Sequence, residues 1–410
     1  IPFQYAVYVG LISILLCSML GGMRGVTWTQ VAQYIVLIIA YLLPVFWISN
    51  KIGAGFFPHF MLADEVARIG ELEQQFGFVK NSAADLATVP KGLAGITKAH
   101  SAVNATPWAF ISLALAMMMG TASLPHVMMR YFTTPSVKAA RKSVGWSLFF
   151  IFLLYSSAPM LATLSKLSLI DPTLSTGIIG KSFAEVQSID WFQNWNQANL
   201  MFISDFNGNG TLELNEFFMG GKAVVLATPE IAGLPYVISG LVAAGGMAAA
   251  MSTADGLILA IANAISHDVY YKIIDPKAET AKRLVVARVL LVVIGFAGAT
   301  IAAMEIQGIL GSVIWAFDFA MSGLFWPLVL GVWWKRANKE GACAGMLLGL
   351  VSGFAYLIWV RNGGSGFLGI TQLTFGIFGS TVSLVAMVVV SLMTSEPNAA
   401  TQKMVDESRV

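Results

Sequence analysis

Charge is scarce along this chain. Only 11% of its 410 residues are Asp, Glu, Lys or Arg, where a soluble globular domain carries about 25%. With 57% hydrophobic residues and a mean hydropathy of +0.73, that deficit excludes a water-soluble reading. Cysteine is nearly missing: Cys17 and Cys343 lie far apart inside apolar runs, which gives no disulfide framework. The net charge is +2 and no basic patch is interleaved with aromatics, so nucleic acid is not an expected partner. The apolar runs hold no nucleophile–base pair and no cluster of metal-ligating residues, which argues against an enzyme. No initiator Met, basic leader or cleavage site accompanies Ile1, and the natural protein is expected to begin upstream.

What is present is a series of apolar runs of about 20 residues, the length that crosses a bilayer core. Backbone groups in lipid must be satisfied internally, so spans are helices or barrel strands. The runs are continuous rather than alternating, which selects an all-α integral membrane protein. About nine transmembrane helices are expected, at approximately 3–20, 28–49, 107–129, 144–164, 234–264, 284–304, 309–334, 341–360 and 367–394.

Basic residues then set the orientation. Loop 130–142 holds Arg130, Lys138, Arg141 and Lys142 without an acid, and loop 335–340 holds Lys335, Arg336 and Lys339 against Glu340. Arg24 in the first turn, and Lys272, Lys277, Lys282 and Arg283 in loop 265–283, fall on the same side when nine spans are counted. That side is expected to be cytoplasmic, which places the protein in a bacterial inner membrane with loop 165–233 periplasmic. Loops 50–106 and 165–233 lie opposite, the second with seven acids against three lysines. Its Trp191 and Trp195 suit a short interfacial helix. No separate soluble domain is expected, and the tail 395–410 is read as cytoplasmic and disordered.

Four constellations carry chemistry. In the fifth span Ala249, Ser252, Thr253 and Gly256 are spaced to share one helix face. Two hydroxyls and a helix carbonyl suit sodium, while small residues equally suit close helix packing. Asp255 in the same stretch favours a functional reading, because buried charge in a membrane is costly. In the third span Gly120-Thr121-Ala122-Ser123-Leu124-Pro125-His126 predicts a break, since Pro125 cannot donate to the Thr121 carbonyl. Such breaks build substrate sites in transporters, or are simple kinks. Asp318 in the seventh span is either an ion or proton relay, like Asp255, or a structural partner of a hydroxyl. In the outer loop, Asp205, Asn207, Asn209, Thr211, Glu213 and Glu216 occupy positions 1, 3, 5, 7, 9 and 12 of an EF-hand calcium loop, with Gly210 at position 6. Its alternative is a plain Asn/Gly turn. An external site of this charge is expected to bind calcium weakly, at roughly 0.1–1 mM, as a structural clamp.

Several segments carry a family resemblance: Gly21-Gly22-Met23-Arg24-Gly25-Val26-Thr27-Trp28-Thr29-Gln30, Met119 through Thr133, Ala140-Arg141-Lys142-Ser143, and Ser266-His267-Asp268-Val269-Tyr270. With them the chain resembles the sodium:solute symporter family, closest to its cation/acetate symporter branch. The resemblance implies the LeuT-type inverted-repeat core, with the first two spans as core helices four and five and spans three to seven as six to ten. Core helices one to three would then lie upstream of this chain. It implies a sodium half-site at Ala249, Ser252 and Thr253, facing core helix one, and substrate near Gly120, Thr121 and Ser123. Gln30 stands where some relatives have an aspartate, which speaks against an extra sodium ion. The hydroxyls of Ser252 and Thr253 are often lacking in the acetate branch, which favours sodium over protons but weakens the transfer of acetate. The implied function is alternating-access symport of sodium with a small organic anion, a monocarboxylate such as acetate. The competing reading is a membrane sensor on a transporter fold that reads external calcium.

Overall fold

The computed structural model describes residues 3–53, 55, 58–77, 87–90, 107–306 and 308–407. The chain divides into two compact units, Ile1–Val103 with Pro135–Ala303, and Asn104–Thr134 with Met304–Val410. Among the described residues, seven helices are long and apolar enough to cross a membrane, and a bent pair, Phe110–Ser123 with Pro125–Tyr131, makes an eighth candidate.

In the first unit, α1 (Phe3–Lys51) covers both spans expected at 3–20 and 28–49. At 1.5 Å per residue it would run about 70 Å if straight, over twice a bilayer core. It is not straight. Gly22 adopts φ 52°, ψ −155°, a left-handed conformation only glycine enters readily. Ser18 and Gln30 both reach one turn of α9 (Tyr236–Asn263), bonding Asp255 and Ser252. On a straight helix those two residues would stand about 18 Å apart. The first arm packs Leu11 and Leu15 on Gly295 of α10 (Thr280–Ala303), and the second lays Ala40 on Gly245 of α9. The chain therefore folds back at Gly22, and one apolar run becomes two arms.

α9 continues as wider π-type turns through Ile274, so the helix outlasts the expected span 234–264. α5 (Val137–Ile170) likewise outlasts its expected span. Its middle exposes Trp146, Leu148, Phe149, Ile151 and Phe152. Its last turns are buried, because they enter a separately folded region.

That region corrects the expectation of a long loop at 165–233 with no domain of its own. Leu167, Leu169 and Ile170 join Ile178, Val186, Phe192, Met201, Leu212 and Phe217 in one core. Ile69 of α2 (Leu62–Gln75) joins them. Two short strands, β1 (Met201–Ile203) and β2 (Phe217–Met219), pair antiparallel with Met201 opposite Met219. Ion pairs stitch α2 to the end of α5: Lys166 with Glu73, both buried, and half-buried Arg68 with Asp171, the residue after α5. Trp191 and Trp195 do lie on a short helix, α7 (Asp190–Gln197), but both pack on this core. The Trp195 indole also donates to Glu230 at 2.9 Å. Residues 78–86 and 91–106 of the other expected loop lie outside the described residues.

The second unit contains α3 (Pro107–Ser123), the short α4 (Pro125–Met128), α11 (Ile309–Ala320), α12 (Trp326–Trp333), α13 (Lys339–Arg361) and α14 (Gly376–Met393). Gly341, Gly345, Gly349 and Gly353 form a stripe down α13, against Ser383, Met387 and Ser391 of α14 and Ser322. Without side chains the backbones approach closely, the usual basis of helix association in lipid. α14 starts nine residues later than the expected 367, after a segment that turns at Gly369 (φ +75°). Through Glu407 the tail is ordered: Arg336 and Asn338 bond the backbone at 392–395, and α15 (Ala399–Glu407) follows with Asp406 paired to Lys335.

Candidate functional site

The small-residue turn of α9 brings three predicted oxygens together. Ser252 Oγ donates to the Ala249 carbonyl at 3.0 Å, and Thr253 Oγ1 lies 3.4 Å from the same oxygen. Helical spacing produces this convergence, since a hydroxyl three or four residues on reaches back to the carbonyl. Thr253 is exposed, while Ser252 and Ala249 are half-buried. The result is a cluster of uncharged hard oxygens, of the kind that suits a sodium ion, with one hydroxyl facing outward.

Behind that cluster sits Asp255, fully buried. Ser18 of the first α1 arm donates to its Oδ1 at 3.0 Å, and Oδ2 has no partner among the described residues. Gln30 of the second arm donates to the Ser252 carbonyl. Sequence reasoning found Asp255 and Ser252, but not Ser18. A serine in an apolar run signals nothing until the fold at Gly22 brings it to α9.

In the second unit the predicted break in the third span lies at Leu124, whose φ −68°, ψ 117° is extended. The two helical pieces meet at 47°. Pro125 restricts the residue before it to this region and removes a donor. Gly120 is buried against α11: a Cβ there would stand 2.6 Å from Phe317 Cβ. Thr121 is exposed and its hydroxyl donates to the Met117 carbonyl at 2.7 Å. Ser123 is fully buried and donates to Met119 O. Of the three predicted substrate residues, Thr121 alone presents an accessible hydroxyl. Asp318 on α11 is fully buried, with neither oxygen partnered among the described residues.

The twelve-residue loop 205–216 has strands on both sides rather than the two helices of an EF-hand. Inside it, Asp205 accepts from the Gly208 and Gly210 amides at 2.7 and 3.0 Å. Asn207 Oδ1 accepts from Asn209 N and Asn209 Oδ1 from Thr211 N. Both Asn side chains donate to Glu213 Oε1 at 2.9 Å. Gly208 and Gly210 take φ of +69° and +72°, the tight turns the motif demands. Leu212 is buried and bridges to the backbone of Gly180 and Lys181. Glu216 is buried too, its carboxylate taken by the amides of Phe206 and Glu213. The oxygen-rich donor set suits a hard cation such as calcium, yet among the described residues the acids do not gather into a metal cluster.

Comparison with known proteins supplies the family. A model described as the sodium:solute symporter family matches residues 1–169 and 222–349. The chain is 34% identical to an uncharacterized symporter of Cupriavidus necator, over 96% of this chain and 70% of that protein. It is 27% identical to a monocarboxylic acid transporter of Corynebacterium glutamicum, over 85% of this chain and 54% of that one. Among solved structures, a sodium-coupled sialic acid symporter in a substrate-bound, outward-open state superposes with a TM-score of 0.58. It is 16% identical, with 97% of this chain and 68% of that one covered. The likeness establishes the helical transporter fold, and these relatives are transporters rather than enzymes. On the family match and the 34% relative, this multi-pass membrane chain belongs to the sodium:solute symporter family.

Proposed function

We propose that this protein couples sodium entry to uptake of a small monocarboxylate such as acetate, by alternating access. The observation that carries the reading is the oxygen cluster of Ala249, Ser252 and Thr253, within a family defined by sodium and solute symport. The monocarboxylic acid transporter of Corynebacterium glutamicum supports the solute class. Gly120, Thr121 and Ser123 at the broken span are the proposed substrate contacts, with Thr121 the accessible one. Asp255, one turn from Ser252, is a proposed relay for the ion. Basic residues in the short loops support an inner-membrane orientation with the outer region periplasmic and the C-terminus cytoplasmic.

The test is sodium-driven uptake of radiolabelled acetate or pyruvate into proteoliposomes. Ser252→Ala with Thr253→Ala is expected to raise the sodium concentration for half-maximal uptake at least about tenfold, equivalent to about 1.4 kcal/mol. An unchanged sodium titration would remove the assignment.

Calcium binding at Asp205, Asn207, Asn209, Thr211, Glu213 and Glu216 is a second proposal, favoured by the oxygen-rich side chains of the loop and its tight turns at Gly208 and Gly210. The ion would clamp the outer region. Calcium should protect it from proteolysis in the parent, and Glu216→Gln should lose that protection. Protection retained by the variant counts against the site.

A further inference from the structure

Side-chain contacts tie together the ends of four helices in the second unit. Trp108, in the first turn of α3, donates from its indole to the Leu368 carbonyl at 2.8 Å. Trp315 of α11 donates to the Gln372 carbonyl at 2.9 Å. Arg361, the last residue of α13, donates to the Ile306 carbonyl at 3.2 Å. Residues 362–375, which join α13 to the start of α14 at Gly376, are held among these ends. α13 has 23 residues, so it is about 34 Å long, close to the thickness of a bilayer core. With Lys339 at one boundary, Arg361 and the segment after it lie at the other.

That segment turns two large apolar side chains outward. Phe367 is 59% exposed and Leu368 70%. Leu368 takes φ 51°, ψ 30°, left-handed backbone that a bulky side chain resists. Its neighbours hold it there. The buried Tyr356 hydroxyl accepts from the Phe367 amide at 2.7 Å and donates to the Ile370 carbonyl at 3.1 Å. Glycine would occupy position 368 without strain, and an outward leucine adds nothing to the protein's own packing. An apolar environment outside the protein accounts for it. Trp108 and Trp359, both 49% exposed, stand against Gly369 and Gly364 of the same segment. Indoles are enriched where lipid meets water.

Beside this tip, Arg361, Gly366, Gly369, Thr371 and Gln372 line a cleft of about 400 Å³. The Arg361 guanidinium lies 5.2 Å over the Trp315 ring, and Ile306 takes one of its five donors. No carboxylate pairs with it among the described residues. Glu305 is the one acid in the stretches 107–123, 304–317 and 354–375. The N-termini of α3, α11 and α14 face this end and add partial positive charge. An anion therefore suits the cleft. A small carboxylate would satisfy Arg361 but leave Phe367 and Leu368 uncovered, whereas a lipid phosphate brings acyl chains with it.

We propose that this cleft binds an anionic phospholipid, with its phosphate on Arg361 and its acyl chains against Phe367 and Leu368. The sodium and solute assignments play no part in this inference, and its failure leaves them standing.

The test is native mass spectrometry of the full chain, titrated with phosphatidylglycerol or phosphatidylcholine in detergent. The parent should hold its first phosphatidylglycerol under conditions that strip phosphatidylcholine, and equal retention of the two would overturn the proposal. Arg361→Gln should weaken the first phosphatidylglycerol about tenfold by removing a charge-assisted contact. Leu368→Gly separates binding from folding. Glycine relieves the backbone, so the unfolding midpoint should hold or rise, while affinity falls about threefold with the lost apolar contact. Parent-level affinity in either variant would overturn the site. Inorganic phosphate and acetate serve as competitors, and neither should displace the lipid at millimolar concentration. Displacement by either would assign the cleft to a small anion and overturn the lipid as its occupant.

Discussion

Gly120 shows how a single residue in this protein does its work by lacking a side chain. A methyl group there would meet Phe317 Cβ at 2.6 Å and the Phe317 carbonyl at 2.7 Å. Backbone is the obstacle, so no rotamer change relieves it. Gly120→Ala is expected to destabilise the fold by about 1–3 kcal/mol through overpacking, read as a lower unfolding midpoint in nanodiscs. An unchanged midpoint would show that α3 can slide on α11 without penalty. Residues of this kind were legible only in part. Ser252, Thr253 and Ala249 could be grouped because helical periodicity is a local rule. Ser18 meets Asp255 across 237 positions, and no local rule reaches that far. Ser123 reads like Thr121 in sequence, and both hydroxyls bond the carbonyl four residues back, yet Ser123 alone is buried.

At the scale of elements, the helical runs were legible because lipid permits few alternatives. Their ends were not. α5 continues past the expected 164 because its last turns have a second core to enter, formed by residues that read as polar loop. Lys166 is the signature of that change of surroundings. Its side chain is 6% exposed and pairs with Glu73 of α2, itself 10% exposed. Lys166→Met should cost about 3–5 kcal/mol, because it leaves the Glu73 carboxylate buried without its lysine. Adding Glu73→Leu should recover much of that loss. The check is a double-mutant cycle on unfolding midpoints, and additive effects would show the two groups do not interact. Glu65 on the same face of α2 follows the opposite logic: burial pushes its carboxyl up, with Arg68 only partly opposing. It favours the fold at low pH and loses that contribution as pH rises through its raised pKa.

The whole molecule adds what neither residues nor elements reveal, namely which helices belong together. Composition and run length identified a helical membrane protein, and motif resemblance identified its family. The turn at Gly21-Gly22 was legible because glycine pairs and Arg24 mark a loop, although the structure makes it a fold in one long helix. The core around Phe217 was not legible. Its apolar residues are drawn from α2, α5 and six short pieces, and no window of sequence contains enough of them to stand out.

The two units are interleaved along the chain, and that has a consequence for how the protein is made. Asn104–Thr134 belongs with Met304–Val410, yet the 169 residues of Pro135–Ala303 are synthesised in between. At about 5–20 residues per second, the broken span waits roughly 10–30 s in the bilayer before α11 arrives to cover Gly120. During that interval lipid must stand in for Phe317, and any quality-control factor that samples nascent membrane proteins meets this helix unaccompanied.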